Sequence, residues 1–168
     1  MPSDQIDLIV SQWRAHAGIQ VNPAPLEVTG RILQIAQHIE RARAKALAPW
    51  GLTLADFDVL ATLTRSAPAR GVNPRELLNE TMITSGAMTT RLDRLEALGC
   101  IRRDPDTSDR RGVLVVLTDT GRAIAEQAFI AVMESEEALV AALGTVERRR
   151  LQITLRSLGV ACREASVA

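Results

Sequence analysis

Residues 85–118 read SGAMTTRLDRLEALGCIRRDPDTSDRRGVLVVLT, and this stretch decides the fold. Met88, Leu92, Leu95 and Leu98 recur at helical spacing and form one apolar stripe. Thr84 or Ser85 supplies a cap at the start, and Gly99 closes the helix. Beyond the glycine, CIRRD and VLVVLT flank the polar segment PDTSDRRG. That pattern predicts a β-hairpin whose tip is eight residues long.

Immediately upstream, Asn73-Pro74-Arg75-Glu76 joins an Asn cap to a proline at the first helical position. The short helix it opens, PRELLNE, ends near Thr81. Two capped helices followed by an Arg-rich hairpin make a winged helix-turn-helix. The apolar stripe would hold the second helix to the protein and leave Ser85, Thr89, Thr90, Arg91 and Arg94 on or near its other faces. The small residues Ser85, Gly86 and Ala87 let a backbone approach closely, and free N–H groups there can bind phosphate. Arg110 and Arg111 at the hairpin tip can enter a minor groove or grip its phosphates. These seven side chains are the candidate DNA contacts. Winged helices also serve as protein-binding modules, and that is the competing class.

Outward from this lobe, Ile6, Ile9, Val10 and Trp13 mark a short amphipathic helix over residues 4–14. AGIQVNPAP is a linker. A long helix runs from about Leu26 to Ala48 with Ile32, Ile35, Ala36, Ile39 and Ala46 on one stripe, and Pro49-Trp50-Gly51 ends it. Thr53 caps a third helix with Asp56 in its first turn, and Phe57, Leu60, Ala61 and Thr64 share a face. Residues 119–143 and 146–163 form the last two helices, with Gly144 and Thr145 between them. The apolar stripes of helices 4–14 and 146–163 have no partner inside a compact lobe, which predicts a homodimer.

The chain has 20 Lys and Arg against 20 Asp and Glu, so the net charge is zero, which argues against a nucleic-acid partner until the distribution is read. Nineteen of the basic residues are Arg, the side chain suited to bidentate capture of phosphate and guanine edges. From Glu126 to Glu147 there are five Glu and no basic residue, so acid and Arg are segregated. Cys100 and Cys162 lie far apart with no ligand at metal spacing, and they read as reduced, mostly buried thiols. His16 and His38 read as isolated surface residues. No G-x-S-x-G, P-loop, H-E-x-x-H or Cys–His pair stands in the chain, so no catalytic site, metal or cofactor is expected. No apolar run approaches the ~18 residues of a membrane span. The opening MPSDQIDLIV places an acidic residue where a secretory signal carries positive charge, so a cytoplasmic protein is expected.

Residues 105–118 resemble the wing signature of the MarR-type regulators: Asp109, Arg111, Val115, Leu117, Thr118 and Gly121 stand at its Asp-x-Arg, Val-x-Leu-Thr and T-x-x-G positions. LADFDVLATL and SGAMTTRLDRLEALGCIRR are similar to that family's third and recognition helices. The resemblance covers about residues 30 to 160. It implies a mainly α fold with a small β-hairpin wing, a single domain over 1–168, a winged lobe at about 52–119, and dimerisation helices at about 4–48 and 120–163. It also implies a double-stranded DNA partner carrying a palindromic operator, and an acidic face turned away from the phosphates.

A narrower likeness concerns the added N-terminal helix, LEVTGRI and the MTxR recognition helix, which are similar to the urate-responsive branch of the family. That branch implies a ligand site from a Trp on the added helix, an Asp on the third helix, an Arg on the recognition helix and an Arg at the wing base. The matching positions are Trp13, Asp58, Arg91 and Arg103, while Thr90 stands where the branch commonly has Asn. An indole can cover a planar purine, and a guanidinium can pair with its negative charge. Asp58 paired with Arg103 would then tie the third helix to the wing until an anion competed for the Arg. The ligand implied is a small aromatic anion such as urate; a phenolic effector or cysteine oxidation are the alternatives.

Overall fold

A computed structural model describes residues 3–16, 18, 20–66, 71–81, 85–106 and 112–165, with the side chains of residues 66, 85 and 86 left aside. Helix α1 spans Gln5–Ala15 and α2 spans Leu26–Leu47, continued by a single 3-10 turn over Ala48–Trp50. The lobe follows as α3 (Leu54–Ser66), α4 (Pro74–Glu80), α5 (Ser85–Ala97), β1 (Ile101–Pro105) and β2 (Val113–Leu117), and the chain continues through α6 (Asp119–Val140) and α7 (Thr145–Ala165). This is the mainly helical, winged helix-turn-helix arrangement anticipated from the sequence. Among the described residues no single helix is long and apolar enough to cross a membrane.

Helix α1 closes its own start with a reciprocal cap, Asp7 N–H donating to the Asp4 carboxylate and Asp4 N–H to that of Asp7. Ile6 and Val10 are then buried against α2 in the same chain. Arg31 on α2 completes the clip, its guanidinium donating to Asp4 at 2.8 and 3.0 Å and to Asp7 at 2.6 Å. The α1 stripe therefore has an intrachain partner, contrary to the expectation that it has none. Of the large apolar side chains of α1, Leu8 and Trp13 are left facing out, Trp13 with 45% of its surface exposed.

The core is organised around α3, which α6 covers on one side and α4, α5 and β2 on the other. Cover from two sides widens the buried arc, so Asp56, Val59, Leu60, Thr62 and Leu63 are all buried. Of the face expected from Phe57, Leu60, Ala61 and Thr64, only Leu60 is fully enclosed. Small side chains on α6, at Gly121, Ala125 and Ala128, with Val132, give the close approach to its neighbours. Helix α5 buries Met88, Leu92 and Leu95, but Leu98 is exposed. The reason is local: Gly99 adopts φ +68°, its N–H bonds the Glu96 carbonyl, and Cys100 N–H bonds that of Leu95. Leu98, whose own N–H still bonds the Arg94 carbonyl, is the last residue before this left-handed closure, and its side chain falls beyond the edge of the core. Cys162 is exposed rather than buried, because α7 packs no residue into the core of the single chain.

The hairpin pairs Ile101 with Leu117 through Pro105 with Val113, so the strands reach one residue further into the tip than the composition indicates. A short third edge, Val72 bridged to Val115 by bonds of 3.0 and 2.8 Å, pins the start of α4 to the wing. The loop read from residues 67–71 gives no sign of it. At the other end of β2, Thr118 caps α6: its hydroxyl accepts from Gly121 N–H at 2.9 Å and donates to the Gly99 carbonyl at 2.7 Å. A Cβ on Gly121 would lie 1.8 Å from the Cys100 carbonyl oxygen. The T-x-x-G signature is therefore a cap followed by a clearance that only glycine meets.

Two predictions follow from these contacts. Gly121→Ala should cost about 3 kcal/mol or more, the upper range of overpacking, read as a lowered urea midpoint at fixed protein concentration; a loss below ~1 kcal/mol would mean the backbone yields. The second concerns acid. Backbone N–H donation and Arg31 hold the Asp4 and Asp7 carboxyls below their ordinary value of 3.8. A lowered folded value means that the docking energy is complete above that ordinary value and is lost as pH falls through the lowered ones. Trp13 emission, in a Trp50→Phe and His16→Gln background to remove the second indole and the ring 5.9 Å away, should stay constant down to about pH 4 and change below it. A transition near neutral pH would assign the docking of α1 to other groups.

Candidate nucleic-acid interface

The reading helix is held from behind. Asn73 accepts from Arg75 N–H at 2.9 Å to start α4, with Pro74 at its first position, and Leu77 anchors that helix in the core. With Met88, Leu92 and Leu95 of α5 buried, Thr89 and Thr90 are exposed on the outer side. Ser85 opens α5, while Thr84, Arg110 and Arg111 lie outside the described residues.

Behind α5 lies a carboxylate with no exposed surface, Asp56. Its Oδ2 accepts from Thr53 N–H at 2.9 Å, and Thr53 Oγ1 accepts in return from Asp56 N–H at 3.2 Å, so the residue caps its own helix. The same Oδ2 accepts from Arg94 Nε at 3.0 Å, and Arg94 also donates to the Gly51 carbonyl at 2.7 Å. Arg91 reaches within 3.7 Å of Oδ1 with one terminal nitrogen. Among the described residues, Asp56 Oδ1 and Arg91 Nε are buried without a hydrogen-bond partner.

The anticipated tie between α3 and the reading head thus exists, but through other residues. Arg103 does not carry it: its guanidinium is held by Glu96 and, at 2.6 Å, by Asp93, both on α5. Asp58, half-buried on α3, sits about 200° around the helix from Asp56, away from the face that meets α5. The signal for Asp56 was available in the capping pattern Thr53-x-x-Asp56 and in its helical spacing to Val59, Leu60 and Leu63. Arg102 is paired with Asp104 at 3.0 Å.

An open groove of about 470 Å³ runs between α4, α5 and the wing base, floored by Leu78, Met88, Leu92 and Val113 with Thr89 and Arg103 on its rim. Trp13 lines a different hollow of about 450 Å³ with Val21, Asn22, Pro23, Pro25 and Leu26. The two share no residue, so one chain does not bring Trp13 together with Arg103. Arg91 approaches the α3 face through Asp56 instead. The Cys100 thiol is buried, and burial together with the nearby Asp56 charge pushes its pKa up, so it is protonated at neutral pH.

Comparison with known proteins bears on this surface. The sequence pattern of the MarR family matches residues 50–112, which contain α3 to β1 and stop just before β2. The HTH-type transcriptional regulator PecS of Dickeya dadantii is 32% identical over 151 residues, covering 90% of each chain. Among solved structures, a cysteine-to-serine variant of Escherichia coli MarR in complex with operator DNA is 31% identical, with a TM-score of 0.69 over 93% of this chain and 99% of that one. The Mycobacterium tuberculosis MarR family protein Rv2887 in complex with p-aminosalicylic acid is 30% identical, with a TM-score of 0.62 over 79% of this chain and 98% of that one.

Proposed function

This chain belongs to the MarR family of winged helix-turn-helix regulators, a DNA-binding transcriptional regulator by that membership, and from this premise we propose a homodimeric repressor released from a palindromic operator by a small aromatic anion, urate or a related purine. The observation that carries the reading is α5, anchored from behind by Met88, Leu92, Leu95 and the Asp56 cluster, with Thr89 and Thr90 turned outward. Those two side chains would choose among base pairs. Ser85 at the helix start and Arg91, Arg94, Arg110 and Arg111 would serve the phosphates or neighbouring base edges. Two such helices in a dimer would enter successive major grooves ~34 Å apart.

Assembly follows from what one chain leaves uncovered. Leu33 and Ile35 on α2, and Leu151, Ile153, Leu155 and Val160 on α7, are exposed large apolar side chains, and α7 buries none of its residues. A second copy would remove that surface from water, the ordinary driving force for a helical interface. The end helices would then be the dimerisation body and residues 52–119 the DNA lobe. Sedimentation should give a dimer at micromolar concentration; a folded monomer there would overturn the assembly.

For the effector, Trp13 offers an exposed indole face and Arg91, Arg103 and Asp58 the charge pattern of the urate-responsive branch. The reading requires the pair of chains to bring the indole and the guanidinium groups together. A second reading has its own support, since the groove beside Thr89 has an apolar floor and the Arg103 guanidinium on its rim, suited to a phenolic acid. The protonated, buried Cys100 disfavours a thiolate-based switch. The test is a titration of the protein bound to the DNA upstream of its own gene with urate, xanthine and salicylate, following both DNA release and Trp13 emission. Urate should lower DNA affinity about 5- to 150-fold, the range of ordinary coupling, with the response lost in Arg91→Ala and the fluorescence change lost in Trp13→Phe. Release by salicylate alone selects the groove and ends the purine assignment.

A further inference from the structure

Among the described residues, four arginines of this reading head are already engaged inside the protein. Arg91 and Arg94 face one carboxylate, Arg103 is bridged by Asp93 and Glu96, and Arg102 is paired with Asp104. A DNA-binding chain with a net charge of zero is built this way if its cations are neutralised where they would meet the duplex. The pairs are not equivalent. Asp93 and Glu96 are substantially exposed, so water and salt replace their partners at little cost. Asp56 has no exposed surface, and drawing its cations away leaves a charge stranded in the core.

A guanidinium that turns to a phosphate cannot also serve Asp56. To engage the backbone, Arg94 must release both Asp56 and the Gly51 carbonyl. Arg91 is held less firmly, 3.7 Å from Oδ1 with its Nε unbonded, so it is the first available to leave. We propose that Asp56 is a specificity-determining residue of the DNA interface: it withholds Arg91 and Arg94 from phosphates. Random duplex, which offers only phosphates, does not repay their release. A sequence that also satisfies the outer face of α5, at Thr89 and Thr90, does. Asp56 acts through the two arginines and does not itself touch DNA. The proposal rests on the DNA-binding reading.

The test uses the full-length chain, a random-sequence duplex and the duplex upstream of its own gene, with affinities measured over a range of salt. Asp56→Asn keeps an oxygen for Thr53 N–H and Arg94 Nε while removing the charge. It should bind random duplex roughly tenfold more tightly at low salt, with a log–log salt slope steeper by about 1 to 2, since each added phosphate contact contributes about 0.9. The preference for the upstream duplex should shrink. In Asp56→Asn combined with Arg91→Gln and Arg94→Gln, the slope should return to that of the wild type. Equal loss on both duplexes with an unchanged slope would make Asp56 merely structural, and a gain that survives removal of both arginines would place its cause elsewhere; either overturns the proposal.

Arg94→Gln alone keeps the question open to test even where Asp56→Asn does not fold. A withheld Arg94 predicts a slope on random duplex changed by only a few tenths. A fall of about 1 would show Arg94 already on the phosphates and end the proposal. Wild-type protein that binds neither duplex in a salt-sensitive way would instead sink the DNA-binding reading itself, a result distinct from all of these.

Discussion

A carboxylate with no exposed surface needs donors and opposite charge, and the lobe of this protein brings them to Asp56: two hydrogen bonds to Oδ2 and the Arg91 guanidinium 3.7 Å from Oδ1. Thr53 closes the start of α3 on it, Arg94 crosses from α5, and the same Arg reaches the Gly51 carbonyl at the end of the turn that follows α2. The start of α3 and the far end of α5, 41 residues apart in sequence at Thr53 and Arg94, therefore meet at one negative charge. Removing a donor leaves that charge uncompensated in a low-dielectric interior, a far larger penalty than losing a surface pair. Val59, Leu60 and Leu63 share one apolar cluster with Met88, Leu92 and Leu95 of α5, and Asp56 adds a polar contact from α3 to the same helix. The Cys100 thiol, influenced by the same charge, is kept in its neutral form as a by-product.

The ion pair cluster of Arg103 differs from that of Asp56 in being exposed. Arg103 at the base of the wing bonds Asp93 and Glu96, which stand one turn apart on α5. Wing base and reading helix are thus joined to each other by exposed pairs, whereas the reading helix is joined to α3 by a buried one. A ligand resting in the groove between α4, α5 and the wing would act on the weaker of these joints. Helix α1 is attached to α2 by yet another exposed cluster, Arg31 with Asp4 and Asp7, so the Trp13 end of the chain is fastened independently of the DNA lobe.

Much of this was legible in the residues because it depends on neighbours in sequence. Caps, stops and periodicity placed every helix to within three residues, and the T-x-x-G positions located the junction of wing and α6. What was misplaced depends on the angle at which helices meet. A carboxylate on α3 tied to arginine was the right idea, but choosing Asp56 over Asp58 needs the knowledge that α3 is covered on two sides. Leu98 continues the stripe by spacing but is exposed, because it is the last residue before the Gly99 closure, where the chain turns out of the helix. The Val72–Val115 bridge joins residues separated by two helices and a strand, with no local pattern to announce it. The candidate ligand residues are of another kind: Trp13 and Arg103 line separate hollows of one chain, so their reading depends on a second copy.

The gap between Gly121 and the Cys100 carbonyl has a mechanical meaning. The first turn of α6 rests on the backbone that leads into β1, and Thr118 bonds that backbone from the side, so no slack separates the long helix from the wing. In a lever train, such a joint is one without backlash. A small rotation of α6 about its own axis would press directly on the backbone at the base of the hairpin, because no side chain lies between them at Gly121. The same absence of play works in reverse, so a displacement of the hairpin base would meet the first turn of α6 before any other part of that helix.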